Sequence, residues 1–63
     1  MWKAVGIVEF EEKKFLATII GASAGYFRIR LVDAQTVEVQ EVRTYKGEDL
    51  YKQVRQILKG ENK

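Results

Sequence analysis

Apolar and polar side chains alternate with a period of two through most of the first forty-five positions, then recur at helical spacing from Glu48 onward. Residues 2–10 and 15–20 are two strand-like apolar runs, separated by the polar turn Glu11-Glu12-Lys13-Lys14. With Glu12 and Lys13 at the tip, Phe10 faces Phe15, Val8 faces Ala17 and Gly6 faces Ile19 on one side of the hairpin. The other side pairs Glu9 with Leu16, Ile7 with Thr18 and Val5 with Ile20. Both faces are then largely apolar, unlike a sheet with one wet side. Such a ribbon must curl into a barrel-like core or be covered by a second copy of the chain. Gly6 is the expected site of a bend, a bulge or a close approach of another group.

Gly21-Ala22-Ser23-Ala24-Gly25 reads as the connector to a second hairpin. In Tyr26-Phe27-Arg28-Ile29-Arg30-Leu31-Val32-Asp33, the residues Phe27, Ile29 and Leu31 point one way, and Tyr26, Arg28 and Arg30 the other. A turn at Asp33-Ala34-Gln35 places Leu31 opposite Val37 and Ile29 opposite Val39, with Arg30 opposite Glu38 and Arg28 opposite Gln40. The alternation breaks after Val39, and a bulge near Gln40 and Glu41 would restore it. From Glu48 to Lys59, Leu50, Val54, Ile57 and Leu58 make one apolar stripe with Tyr51 on its flank. Glu48 and Asp49 suit the positive end of that helix, Lys59 the negative end, and Gly60 is the expected stop.

These elements predict an α+β domain over residues 1–60: a small antiparallel β-meander of four to five strands, strongly bent or closed as an SH3-like barrel, with one C-terminal amphipathic helix. Residues 61–63 read as a disordered tail. The helix covers one face of the meander and leaves the other exposed.

Sixty-three residues are near the lower size limit for an independent fold, where about 60% of the unfolded chain's surface is buried. A large enclosed active site does not fit in such a chain. No histidine or cysteine is present, which removes structural zinc, disulfides and the imidazole of a Ser-His pair. Ser23 is the sole serine. The chain therefore reads as a non-enzyme without cofactor or metal. The carboxylates Asp33, Glu38 and Glu41 are close in sequence, but Glu38 is more simply the cross-strand partner of Arg30. The Gly21–Gly25 segment lacks the lysine and following helix of a phosphate-binding loop. No segment has the length to cross a bilayer, and the N-terminal residues lack the apolar run of a secretory signal, so a cytoplasmic protein with no membrane partner is expected.

Eleven basic side chains stand against nine acidic ones, for a net charge of +2. So small an excess does not identify a partner. Its placement is more informative: Tyr26, Arg28 and Arg30 share one strand face, Arg43 and Tyr45 can continue it, and Trp2 or Lys3 can lie at its edge. Guanidinium groups fork onto phosphates and aromatic rings stack on bases, so DNA or RNA is the first expected partner, with Tyr26, Arg28, Arg30 and Arg43 as the contact residues. The alternative is a protein-interaction or inhibitor module that uses Val5, Ile7, Leu16 and Ile20 on the outer face of the first hairpin, and on either reading these residues are the expected contact of a homo-oligomer. The order of elements resembles that of the seven-kilodalton archaeal chromatin proteins, SH3-like barrels whose sheet binds the DNA minor groove. The resemblance is topological: no motif of theirs is found, and this chain has far fewer lysines.

Overall fold

The computed structural model describes residues 3–61. Four strands, β1 (Lys3–Phe10), β2 (Lys13–Ser23), β3 (Tyr26–Asp33) and β4 (Val39–Tyr45), form one antiparallel sheet in the order β1-β2-β3-β4, followed by the helix α1 (Leu50–Glu61). The sheet remains open, with β1 and β4 as its two edges, so the meander is present and the barrel closure is not. No helix among the described residues is long and apolar enough to cross a membrane.

The β1–β2 turn is two residues long, Glu11-Glu12, both with positive φ (50° and 67°), as a tight mirror-image hairpin turn requires. Phe10 therefore faces Lys13, Val8 faces Phe15 and Gly6 faces Ala17. This register differs from the expected one by two residues. An even shift leaves the side chains between Gly6 and Ile19 on their expected faces. Further along, Val5 is extruded by a bulge between Ala4 and Gly6 and packs against the core, while Ile20 lies in a second bulge between Ile19 and Gly21. Gly6 (φ 145°) sits under the helix: a Cβ there would lie 2.7 Å from the Tyr51 hydroxyl, which donates to the Val5 carbonyl at 3.1 Å. The connector is mostly strand, because β2 runs on to Ser23 and only Ala24 and Gly25 (φ 84°) make the turn.

The β3–β4 hairpin departs further from expectation. Asp33 accepts hydrogen bonds from the backbone N–H groups of Gln35 and Thr36 (2.8 and 3.2 Å), and its carbonyl accepts from Val37 N (2.8 Å). The carboxylate thus organises a loop over residues 34–38 in place of a short turn. Leu31 faces Gln40 and Ile29 faces Val42, a shift of three residues, and an odd shift turns β4 over. Val37 leaves the strand with φ 53° and is 71% exposed, and Val39 moves to the open face. Gln40, Val42 and Thr44 take the helix side, and β4 pairs regularly through Gln40 and Glu41, without the expected bulge. This register leaves the Thr44 hydroxyl and the Gln40 amide nitrogen buried without a hydrogen-bond partner, a cost that loop formation and the remaining pairing must exceed.

The core is one layer of Val8, Phe15, Ala17, Ile29 and Leu31 from the sheet against Val54 and Leu58 from the helix. Asp49 caps the helix, its carboxylate accepting from Tyr51 N and Lys52 N at 3.0 and 3.3 Å. The helix begins at Leu50, two residues later than expected, and continues through Gly60 to Glu61. Asn62 and Lys63, the rest of the expected tail, lie outside the described residues.

Candidate functional site

Backbone bonds from Asp33 N to Glu38 O and from Lys46 N to Gly25 O set the β3–β4 ladder. They make Tyr26/Tyr45, Arg28/Arg43, Arg30/Glu41 and Val32/Val39 the non-hydrogen-bonded pairs, the positions where opposed side chains approach most closely. All four pairs project from the face that the helix does not cover. Across the sheet they continue as rows: Ser23–Tyr26–Tyr45, Gly21–Arg28–Arg43, Thr18–Arg30–Glu41, and Ile7–Leu16–Val32–Val39.

The open face is therefore graded from an aromatic end, through a basic middle, to an aliphatic row. At the aromatic end the Tyr26 and Tyr45 rings lie 4.9 Å apart, tilted by 38°. The neighbouring Tyr26 phenol holds the Tyr45 hydroxyl proton more tightly than usual, through hydrogen bonding and charge, so Tyr45 titrates above the ordinary tyrosine range. Arg43 places its guanidinium 5.6 Å from the Tyr26 ring centroid. Arg28 extends over Gly21, where a Cβ would lie 3.5 Å from Arg28 Cδ, and its Nη2 is 2.9 Å from Glu41 Oε1. Both members of that ion pair are about half exposed or more, which makes it a weak, solvent-screened contact. Arg30 is half-buried in the next row.

Tyr26, Arg28, Arg30 and Arg43 are thus brought onto one face. The acid beside them is not the expected one. Glu38 lies in the loop, where its carboxylate accepts from the Thr36 hydroxyl at 3.2 Å, and Glu41 stands opposite Arg30. Of the apolar quartet read from the first hairpin, Ile7 and Leu16 are direct neighbours on the open face, 50% and 42% exposed. Val5 is turned to the core and Ile20 is half-buried at its bulge, so neither joins them. Val32 and Val39 complete the row instead. Sequence reasoning missed Val39 because the expected β3–β4 register assigned it to the core, whereas Val32 shares the Arg28 and Arg30 face by alternation alone. Trp2 lies outside the described residues.

A cleft of about 230 Å³ opens at the other end of the molecule, between the two hairpin loops and Leu58. It is floored by Phe10, Phe15 and Leu31 and rimmed by Glu11, Lys13, Asp33 and Glu38. The Asp33 carboxylate is committed to the loop amides, which lower its pKa from the usual aspartate value, with Lys13 adding to the effect. Among the described residues no group of three or more acids is placed to hold a metal ion. No family model, no curated protein and no solved structure matches the chain.

Proposed function

We propose that this is a non-enzymatic nucleic-acid-binding protein that uses the open face of its sheet. The observation that carries the proposal is the Arg28/Arg43 pair, two arginines at directly opposed positions of β3 and β4, in the row beside the tilted Tyr26/Tyr45 ring pair. Like charges at opposed, non-hydrogen-bonded positions destabilise a sheet. One carboxylate, Glu41, offsets part of that repulsion through Arg28. A polyanion that brings phosphates to both arginines relieves the rest, and the adjoining phenol rings supply stacking surface.

Fluorescence anisotropy with labelled DNA and RNA oligonucleotides in 50 mM salt tests this reading. Binding should weaken several-fold in Arg43→Gln and in Arg28→Gln, and weaken further as salt is added. If no oligonucleotide, single-stranded or duplex, binds at 100 µM protein, the proposal fails.

The exposed row Ile7–Leu16–Val32–Val39 supports a second reading, a homo-oligomeric or protein-binding contact. On that reading the wild-type protein sediments as a dimer or binds a protein partner, and Leu16→Glu abolishes the contact while Arg43→Gln leaves it intact.

A further inference from the structure

Building on the nucleic-acid reading, we infer that the ligand is single-stranded, and that its unpaired bases lie across the sheet from the tyrosine pair toward the aliphatic row Ile7–Leu16–Val32–Val39.

Shape argues first against a duplex. Four adjacent strands span about 14 Å between the outer two, at roughly 4.8 Å per strand. A major groove of about 12 Å admits a helix or a two-stranded ribbon, and the minor groove is narrower still. Side chains of the open face meet an undeformed duplex only along its phosphates, and reaching base edges would require widening and kinking the minor groove, as architectural sheet proteins do, at a cost of about a few kcal/mol per unstacked step. Charge argues in the same direction. Duplex binding depends on neutralising many phosphates, whereas this face presents Arg28, Arg30 and Arg43 against Glu41 on a chain of net charge +2. The third argument is the surface between and beside the cations. The outside of a duplex offers no apolar partner for four aliphatic side chains in a line, three of them between 42% and 58% exposed. A single strand does: each unpaired base has a π-face that loses water favourably against a tyrosine, a guanidinium plane or an aliphatic row.

The rows then have distinct tasks. Tyr26 and Tyr45 stack one end of the strand, Arg28 and Arg43 take phosphates between bases, and Leu16, Val32 and Val39 support further bases. The site covers about four nucleotides, the low end for a single small sheet domain. With roughly two phosphates engaged, the log–log salt slope for a single strand is about −1.4, which corresponds to a loss of about 7-fold between 50 and 200 mM salt.

The test is anisotropy titration of fluorescein-labelled oligothymidine and oligouridine twelve-mers against a twelve-base-pair DNA duplex and the matching RNA duplex, with sedimentation of the free protein in parallel. The inference expects at least tenfold tighter binding of a single strand than of either duplex. It also expects Tyr45→Ala and Val39→Glu to lose single-strand affinity at least fivefold, with unchanged far-ultraviolet circular dichroism. Equal or tighter duplex binding overturns the single-strand assignment and leaves the nucleic-acid reading standing. Failure of every probe overturns both. Single-strand binding that survives Val39→Glu and Leu16→Glu unchanged overturns the path across the aliphatic row, as does a stable dimer that Leu16→Glu dissociates.

Discussion

Replacing Gly6 with alanine tests the close approach of Tyr51 to β1 and can be read as a coupling between two named atoms. The position has φ 145°, a region that side chains rarely enter, and occupying it costs roughly 1–3 kcal/mol. The new methyl would also sit 2.7 Å from the Tyr51 hydroxyl, so the ring must move and the hydrogen bond to the Val5 carbonyl is lost, adding about 1 kcal/mol. Gly6→Ala should thus cost about 2–4 kcal/mol, a large share of the roughly 3–9 kcal/mol available to a chain of this length. Tyr51→Phe removes the obstructing oxygen, and the next atom of that ring, Cζ, lies at 3.8 Å, an ordinary contact. In that background Gly6→Ala should cost only the backbone term, so the two substitutions should be non-additive by about 1 kcal/mol. Urea unfolding followed by circular dichroism at 222 nm, with equal slopes for the four proteins, provides the comparison. A coupling below about 0.3 kcal/mol would refute the close approach of the helix to the β1 bulge.

Ile29 is fully buried at the centre of the sheet, so Ile29→Val should cost about 0.5–1.5 kcal/mol and Ile29→Ala about 2–5, measured by the same denaturation. Asp33 has a folded-state pKa below its unfolded value, so its contribution is complete above the unfolded pKa of about 3.9 and is lost as pH falls through the folded one. Thermal melts between pH 7 and pH 2 should therefore show part of the acid destabilisation disappear in Asp33→Asn; an unchanged pH profile would remove Asp33 as its source. Asp49→Ala should cost about 0.5–2 kcal/mol through loss of the helix cap, seen as a lower midpoint in urea. Glu41→Gln should leave stability nearly unchanged, because the Arg28 pair is exposed, while tightening oligonucleotide binding in an anisotropy titration by removing the carboxylate that competes for Arg28.

The graded face links these predictions to function. Aromatic, cationic and aliphatic side chains are sorted by row because each row is one rung of cross-strand neighbours, and register alone decides which residues share a rung. An odd register change in either outer hairpin would leave the same residues in the chain and dismantle the surface.

Local chemistry was enough to read the strand–strand–strand–strand–helix order, the two-sided division of β3 and of β1 and β2 outside their bulges at Val5 and Ile20, the stripe Leu50, Val54 and Leu58, and the special place of Gly6. Each depends on periodicity within one segment or on a single backbone property. The gathering of Tyr26, Arg28 and Arg30 was legible for the same reason, since alternate residues of one strand cannot avoid sharing a face. Pairing between segments was not legible. The Glu11-Glu12 turn adopts a geometry usually signalled by Asn-Gly, and the loop after Asp33 is held by a carboxylate capping amides two and three residues ahead. Both hairpins were therefore read in the wrong register, harmlessly in the first and with inversion of β4 in the second. Only the tertiary structure placed Val39 beside Val32, Arg43 beside Arg28 and Tyr45 against Tyr26, and only it left the sheet open. Loop closure, helix docking and burial of the whole layer settle that choice together, and no single stretch of chain contains their sum.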